Sequence, residues 1–183
     1  MPRLANAHRK TQCFAERFVV RTVATTTGIQ AREGKVYCAV VLDTYSRRVV
    51  GWSIDSTQTA ALVTNTLGMA ISNRSPESGT IIHSDHGVQF TSWAFTDGAR
   101  KSGLVPSMGS IGDCYDNAVI ESFWGRMQTE LLNRQRWKTR IELANAIFDC
   151  LEIFHNRRRR HSALGMRTPI EYDMMQPSIQ PVA

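Results

Sequence analysis

The chain has 183 residues, 42% of them apolar, which allows one substantial hydrophobic core with a short appendage at either end. It contains no run of about 18 apolar residues that could span a membrane. The start MPRLANAHRKTQ lacks the apolar centre of a secretory signal. These features predict a cytoplasmic protein.

The four cysteines are Cys13, Cys38, Cys114 and Cys150, which are far apart and form no CxxC pair. This spacing argues against a zinc ribbon and against a disulfide framework. We expect reduced thiols that serve mainly in packing.

The net charge of +6 is unevenly distributed along the chain. Residues 1–30 carry five Lys/Arg against one acid, residues 31–125 seven against nine, and residues 126–167 ten against four. Basic flanks around an acidic centre are typical of an enzyme that acts on nucleic acid, because the bases neutralise phosphates and the acids hold a metal ion. A merely solvated basic surface is the alternative.

The first half of the chain predicts a three-stranded meander. Residues 18–27, 36–43 and 47–54 are rich in β-branched and aromatic side chains, and the last two runs are separated by a short turn. Residues 28–35, GIQAREGK, are predicted to turn the chain back into this hairpin.

Helices and short strands are predicted to alternate after the meander. Apolar side chains with a 3.6-residue period predict a helix from Thr57 to about Asn73. Residues 80–84 and 104–108 are predicted to be short strands, and residues 92–102 a short helix that ends at Gly103.

The last third predicts two amphipathic helices. A loop over residues 109–115 precedes the first helix, for which Asp116 is the expected N-cap. The second opens with the capping-box pattern TRIE at 139–142 and runs into RRRRH. The apolar faces are Val119, Ile120, Phe123, Trp124, Met127 and Leu131 in the first, and Leu143, Ala144, Ile147, Cys150, Leu151 and Phe154 in the second. The element order predicts an α/β fold with a mixed sheet.

Two carboxylates stand in unusual local sequences. Asp85 lies in HSDHGVQF at the predicted end of a strand, and Glu121 lies in DCYDNAVIESFW within the first amphipathic helix. They are separated by 35 residues.

These two motifs, together with AVVLDTYSRRVVGWS at 39–53 and FHNRRRRHSALGMRTPIEY at 154–172, resemble the catalytic domain of insertion-sequence transposases. That group belongs to the DDE superfamily, which includes the retroviral integrases. The resemblance covers about residues 31–173. It implies a ribonuclease-H-like fold with a five-stranded mixed sheet flanked by helices, followed by a basic C-terminal helical extension.

The resemblance also implies a chemistry. An Asp and a Glu separated by 35 residues are the second and third members of the family's metal-binding triad, so Asp85 and Glu121 are the expected catalytic residues and metal ligands. Mg²⁺, or Mn²⁺, is the expected cofactor, because hard cations take oxygen ligands. The implied reaction is DNA cleavage at transposon ends followed by strand transfer to target DNA, carried out by multimers on paired ends.

The sequence departs from the family at the first triad position. The family's first Asp falls near Thr25, where this chain reads RTVATTTGIQ. Asp43 is an alternative ligand, although the family has an acid there besides the triad. The motifs stop before about Ala31, as they would after a frame shift or an alternative start. We therefore expect a truncated or degenerate transposase; the alternative is an inactive DNA-binding or oligomerisation remnant.

The expected domains are residues 1–30, which do not match the family, a catalytic core over 31–135, a basic C-terminal helix and motif over 136–175, and a tail over 176–183. A ribonuclease-H-type nuclease acting on hybrids is a more distant possibility, disfavoured by the C-terminal motif.

The basic residues expected to contact DNA backbone are Arg126, Arg157, Arg158, Arg159, Arg160 and His161. A solvated helix end is the alternative for the arginine run. His83 is expected to shape the site by hydrogen bonding; a zinc site with His86 is the alternative. For Asp116 and Asn117, capping and direct metal contact both stay open.

Overall fold

A five-stranded mixed sheet with helices on both faces forms the structure. The computed structural model describes residues 21–84, 87–108 and 114–175. The strands are β1 (Arg21–Ala31), β2 (Gly34–Asp43), β3 (Val49–Asp55), β4 (Ile81–Ser84) and β5 (Val105–Met108), in the spatial order β3-β2-β1-β4-β5. The helices are α1 (Ala60–Arg74), α2 (Trp93–Lys101), α3 (Cys114–Met127), α4 (Arg140–Phe148) and α5 (Pro169–Met174). Two π-helical segments, π1 (Gln128–Leu132) and π2 (Asp149–Arg158), continue α3 and α4, and a 3₁₀ turn spans Ser162–Leu164. The predicted fold class is confirmed.

The predicted meander is present, but its first turn is shorter than expected. β1 pairs antiparallel with β2 as far as Ala31, opposite Gly34, so Arg32 and Glu33 make the turn. The prediction that residues 28–35 form the turn was therefore wrong in extent. β1 continues because the side chains of Ile29 and Ala31 are buried in the core.

The sheet separates two hydrophobic clusters. Alternate side chains of β2 face opposite sides, as the two-residue period of a strand requires. Val36, Cys38, Val40 and Leu42 pack with α3, α4 and π2, whereas Ala39 and Val41 pack with α1 and α2. The apolar residues predicted for α3 lie in or against the first cluster. Among those predicted for α4 and its continuation π2, Phe154 is exposed.

Gly51 explains how closely α1 lies on β3. A Cβ atom at this position would come within 2.3 Å of the Thr66 carbonyl oxygen and 2.8 Å of the Ala70 Cβ. These distances are too short for any side chain. The GWS stretch of the second hairpin strand therefore carries a glycine because a helix backbone packs directly against it.

Buried polar side chains fasten the C-terminal segment to the edge strand β3. Asn156 in π2 accepts a hydrogen bond from the Val49 N–H (2.9 Å) and donates one to the Val49 carbonyl (3.0 Å). Trp52 Nε1 donates to Glu152 Oε1 at 2.7 Å. Asn156 thus pairs both backbone groups of Val49 on the outer edge of β3, where no further strand follows, and this protects the open edge of the sheet.

The N-termini of α3 and α4 differ from the predicted capping. α3 begins at Cys114, so Asp116 lies in its first turn rather than at the N-cap. At the start of α4, Thr139 accepts from the Glu142 N–H at 3.0 Å, but Glu142 accepts from the Lys138 N–H. In the predicted capping box Glu142 would accept from the Thr139 N–H. In the structure it accepts from the preceding residue, Lys138. Of the loop predicted at 109–115, residues 109–113 lie outside the described residues, and Cys114 and Tyr115 belong to α3. The tail at 176–183 also lies outside the described residues.

Within the described ranges, no helix is both long and apolar enough to cross a bilayer.

Replacing Asn156 with Ala should lower the free energy of unfolding by about 2–4 kcal/mol, because two buried backbone groups of Val49 lose their partners. Urea denaturation measures the change. Asn145→Ala, at an exposed position of α4, is the control and should shift stability by less than about 0.5 kcal/mol. Equal effects of the two substitutions would contradict the anchoring role.

Candidate active site and nucleic-acid interface

Glu121 lies on the exposed side of α3. Its neighbours Ile120 and Phe123 are buried in the core and fix the rotation of the helix. Glu121 forms neither a hydrogen bond nor an ion pair with the described residues. Its carboxylate is therefore available to an external ligand.

The end of β4 lies beside the first half of β1. The two strands run parallel, with Ala24 opposite Ser84, the last residue of β4. Thr25, one residue further, is level with the end of β4. It is also paired with Val40, so it shares the sheet face on which α3 packs. Asp85 follows Ser84 in the chain and, like His86, lies outside the described residues.

Asp43 belongs to a different part of the molecule. It is paired with Thr22 in the sheet, an odd number of residues from Thr25, and therefore faces the α1 side. Its side chain is 0% exposed. It accepts hydrogen bonds from the Tyr45 N–H (3.0 Å) and from Ser46 Oγ (2.6 Å), and it forms an ion pair with Arg74. This geometry speaks against the alternative that Asp43 acts as a metal ligand, because its oxygens are already occupied by Tyr45, Ser46 and Arg74.

The ion pair of Asp43 is part of a larger network. Arg74 also pairs with Asp173 in α5, and Arg48 Nη1 donates to the other oxygen of Asp173 at 2.8 Å. The four charges join the β2–β3 turn, the end of α1 and α5. The acid in LDTYSRR therefore stabilises the turn and the docking of the C-terminal helix.

His83 is buried in β4, opposite Val23 on one side and Ser107 on the other. Among the described residues, no three His, Cys, Asp or Glu side chains come together as a metal site. Any such site would require Asp85 or another residue outside the described ranges.

A basic cleft of about 600 Å³ lies beside α3. Its cationic lining comes from three elements: Arg47 in the β2–β3 turn, Arg126 in α3, and Arg159 and Arg160 at the end of π2. His161 also lines it. Sequence reasoning missed Arg47; its φ of 60°, rare for a residue with a side chain, belongs to a turn whose direction only the hairpin geometry reveals.

The arginine run predicted as one DNA-contacting patch is divided. Arg159 and Arg160 line the basic cleft, whereas Arg158 lines a separate cavity with Arg134 and Trp137. Arg157 is exposed and lines neither. π2 ends at Arg158 and the backbone of Arg159 is extended, so Arg159 and Arg160 take a different direction from the two arginines within the helix.

Two histidine rings form the inner wall of the basic cleft. His155 Nε2 lies 2.8 Å from the Arg47 carbonyl, and its ring packs edge-on against Phe123 and His161, with centroid distances of 5.1 Å and 5.3 Å. Burial is the main cause that lowers the pKa of His155 to about 4. Burial, followed by the charges of His155, Arg159, Arg126 and Arg47, lowers the pKa of His161 to about 4. Both rings are therefore neutral at pH 7.

His161 is only 9% exposed, in contrast to the surface position expected of a residue that contacts DNA backbone through its charge. Arg126 is exposed and forms no hydrogen bond or ion pair with any described residue. The structure thus brings Arg126, Arg159, Arg160 and His161 together and leaves Arg157 and Arg158 elsewhere.

Asp43→Asn should destabilise the protein by about 3 kcal/mol, because it removes the charge that neutralises the partly buried Arg74. Asp97→Asn removes an exposed ion pair with Lys101 and should cost less than about 1 kcal/mol. Urea denaturation compares the two variants. Calorimetry should show the same response to Mn²⁺ in folded Asp43→Asn as in the unaltered chain; a weaker response of the variant would contradict a purely structural role of Asp43.

The stability of the protein should fall as the pH decreases from about 6.5 to 4. Since the folded state holds the pKa of His155 near 4, the unfolded chain takes up a proton in this range that the folded chain does not. The contribution of His155 to this loss should reach about 3 kcal/mol below pH 4. Urea denaturation at several pH values should show a smaller slope in His155→Gln, whose amide can still donate to the Arg47 carbonyl. Identical slopes would show that His155 is not the titrating group.

Comparison with known proteins connects these features to a family. The sequence model of the family described as "Integrase core domain" matches residues 20–114, and a second model with the same description matches residues 102–169. The first match begins at residue 20, whereas the sequence motifs indicated a start near 31. The transposase for insertion sequence element IS904 of Lactococcus lactis is 37% identical over 147 residues, which is 80% of this chain and 58% of the relative. The chain spans between 51% and 58% of the length of such curated relatives.

Solved structures show the same fold. A chain of the simian T-cell lymphotropic virus intasome, solved in complex with the PP2A regulatory subunit B56 gamma, is similar with a TM-score of 0.68 and 15% identity over 90% of this chain and 57% of that one. The HTLV-2 integrase catalytic core in complex with magnesium is similar with a TM-score of 0.55 and 20% identity over 82% of this chain and 93% of that one. The sheet order and the two family matches lead to one conclusion: the chain belongs to the integrase core domain family, and its sequence is similar to insertion-sequence transposases.

Proposed function

We propose that this chain catalyses divalent-metal-dependent DNA strand cleavage and strand transfer, with Asp85 and Glu121 as metal ligands, and that it does so at a reduced rate. The observation that carries the proposal is the position of Glu121, an exposed carboxylate without a described partner, on the helix that packs against the sheet face to which Thr25 belongs. Thr25 is level with the end of β4. The relatives are insertion-sequence transposases, and this chain covers about half of their length.

Carboxylate oxygens suit a hard divalent cation, and Glu121 has its carboxylate available for such a ligand. Asp85 would complete the pair. Glu121 and Asp85 would hold a cation such as Mg²⁺, which would supply activation of the attacking oxygen and stabilisation of the charge on the leaving oxygen of the phosphodiester. The magnesium complex of the HTLV-2 core supports this cofactor class.

Thr25 is the reason to expect a reduced rate. Thr25 is level with the end of β4 and lies on the sheet face that α3 covers. The family's first Asp is expected at this position, but the hydroxyl of Thr25 contributes no negative charge. Loss of a residue that only supports a ligand typically costs about 10–100-fold in metal affinity or activity. Loss of a ligand itself should cost at least as much.

DNA is the proposed partner, bound as transposon end and target by a multimer, as the intasome relative suggests by analogy. Arg126, Arg157, Arg158, Arg159, Arg160 and His161 remain the candidates for contact with it. Since Arg157 and Arg158 point away from the basic cleft, they would contact a different stretch of DNA or a second duplex.

Thr25 equally favours a second function, a DNA-binding or oligomerising remnant without catalysis. Metal binding distinguishes the two functions. A remnant would bind DNA with a steep salt dependence and without a response to Mn²⁺. Calorimetric Mn²⁺ binding that disappears in Asp85→Asn would support the catalytic proposal.

Thr25→Asp should raise Mn²⁺-dependent nicking of a plasmid carrying the element's end by at least about 10-fold, since it restores a carboxylate at the missing position. Glu121→Gln should abolish the nicking of both the unaltered chain and Thr25→Asp. Gel separation of nicked from supercoiled plasmid measures the rate.

Thr27→Asp is the matched control, because Thr27 lies two residues further along β1 on the same face. It should not raise the rate. Nicking that survives Glu121→Gln, or that Thr25→Asp and Thr27→Asp raise equally, would refute the assignment.

A further inference from the structure

The basic cleft carries an excess of positive charge. Four arginines line it, with Glu130 as the acidic group. Glu130 pairs with Arg159, which also lies over the Phe154 ring at 5.8 Å, and Arg160 Nη1 donates to the Met166 carbonyl at 3.1 Å. Arg126 makes no such bond with the described residues. The lining of the cleft therefore keeps more positive than negative charge, and Arg126 has its donors available for a ligand.

His161 supplies an independent sign of a ligand. Its Nε2 is shielded from solvent and has no hydrogen-bond partner among the described residues. An unpaired buried polar atom costs about 1–3 kcal/mol, so native structures retain few of them. The ring lines the same cleft as Arg126, where an incoming oxygen atom would satisfy it.

The shape and chemistry of the cleft indicate the ligand. The surrounding cations exclude a metal ion and favour an anion. A volume of about 600 Å³ is far more than a bare phosphate needs and lies in the range of small-molecule sites. Part of the lining is apolar, from Val119, Phe123, Met127 and Ala163. A phosphodiester with an attached sugar fits this combination of basic and apolar walls.

The position of the cleft separates it from the proposed catalytic carboxylates. Arg126 follows Glu121 by five residues, which is about 7.5 Å along the helix axis. Ala118 and Ser122 line the cleft, whereas Glu121 does not, so the cleft adjoins a different flank of α3.

We propose that the basic cleft binds a non-reacting phosphodiester of the DNA strand, with Arg126 as the main cation and His161 Nε2 as a hydrogen-bond donor to a phosphate oxygen. This inference rests on the proposed function for the identity of the ligand as DNA. It adds a binding subsite on the flank of α3 away from Glu121. Because His161 Nε2 is shielded in the unliganded chain, binding includes a local adjustment of the side chains around it, among which Met166 is exposed.

The first test measures binding of a ten-nucleotide thymidine oligonucleotide to the full chain in EDTA. Arg126→Gln should weaken binding about 5–10-fold at 100 mM salt and reduce the slope of log K against log salt by about 0.7, the value for one phosphate contact on a single strand. Arg126→Lys should retain most of the slope. Arg136→Gln, at an exposed position that lines neither cavity, is the control and should bind within about twofold of the unaltered chain.

The second test follows the His161 ring by NMR, with its signal assigned by its loss in His161→Gln. The groups that act on this ring are His155, Arg159, Arg126 and Arg47, with Glu130 also in the cleft. A phosphate beside the ring favours its protonated form, so the oligonucleotide should raise the pKa of His161. The increase should be absent in Arg126→Gln. An acidic peptide of ten glutamates should produce a smaller increase; an equal or larger one would show that the cleft is a protein-binding site and overturn the proposal.

The outcomes distinguish this inference from the proposed function. Equal losses in Arg126→Gln and Arg136→Gln, or an unmoved His161 signal on DNA binding, would refute the subsite even if the chain nicks DNA. The expected losses and pKa increase would support the subsite even if no variant nicks DNA, since the measurements contain no metal.

Discussion

The central position of β1 governs which polar groups of this protein can meet. β1 pairs antiparallel with β2 and parallel with β4, so its residues alternate between two buried faces with different helices. One face receives α3 with Glu121, and the other receives α1 with Arg74. Thr25 and Asp43 are close to each other in this part of the sheet, yet the alternation assigns them to opposite faces. The pairing pattern therefore limits which residues can take part in the chemistry.

The C-terminal segment depends on that sheet for its position. Asn156 satisfies both backbone groups of Val49 on the edge strand, and Asp173 joins Arg48 and Arg74. These contacts connect residues about one hundred positions apart and hold the end of π2 beside α3. The basic cleft exists only because of this docking, since its cations come from the β2–β3 turn, α3 and the end of π2. The motif FHNRRRRH thus combines anchoring residues with residues that face a ligand.

The electrostatics of the cleft follow from burial. Two adjacent imidazole rings among four arginines cannot both be charged without strong repulsion, and the structure keeps both neutral by excluding water from them. A neutral inner wall lets the arginines approach one another with less repulsion than a charged one. An anion that enters the cleft lowers its electrostatic energy, because the anion neutralises part of the arginine charge.

The sequence alone determined the element types, the amphipathic faces of the two long helices, the family and the absence of an acid near Thr25, because these depend on local periodicity and on the order of residues. It did not determine where β1 ends, because Ile29 and Ala31 are held in the strand by the core and not by their own propensity. It also could not assign Asp43 to an ion pair, divide the arginine run between two surfaces, or bring Arg47 to Arg126. Those features depend on contacts between residues distant along the chain, and the directions of side chains in such contacts are decided only when strands, turns and helices pack together.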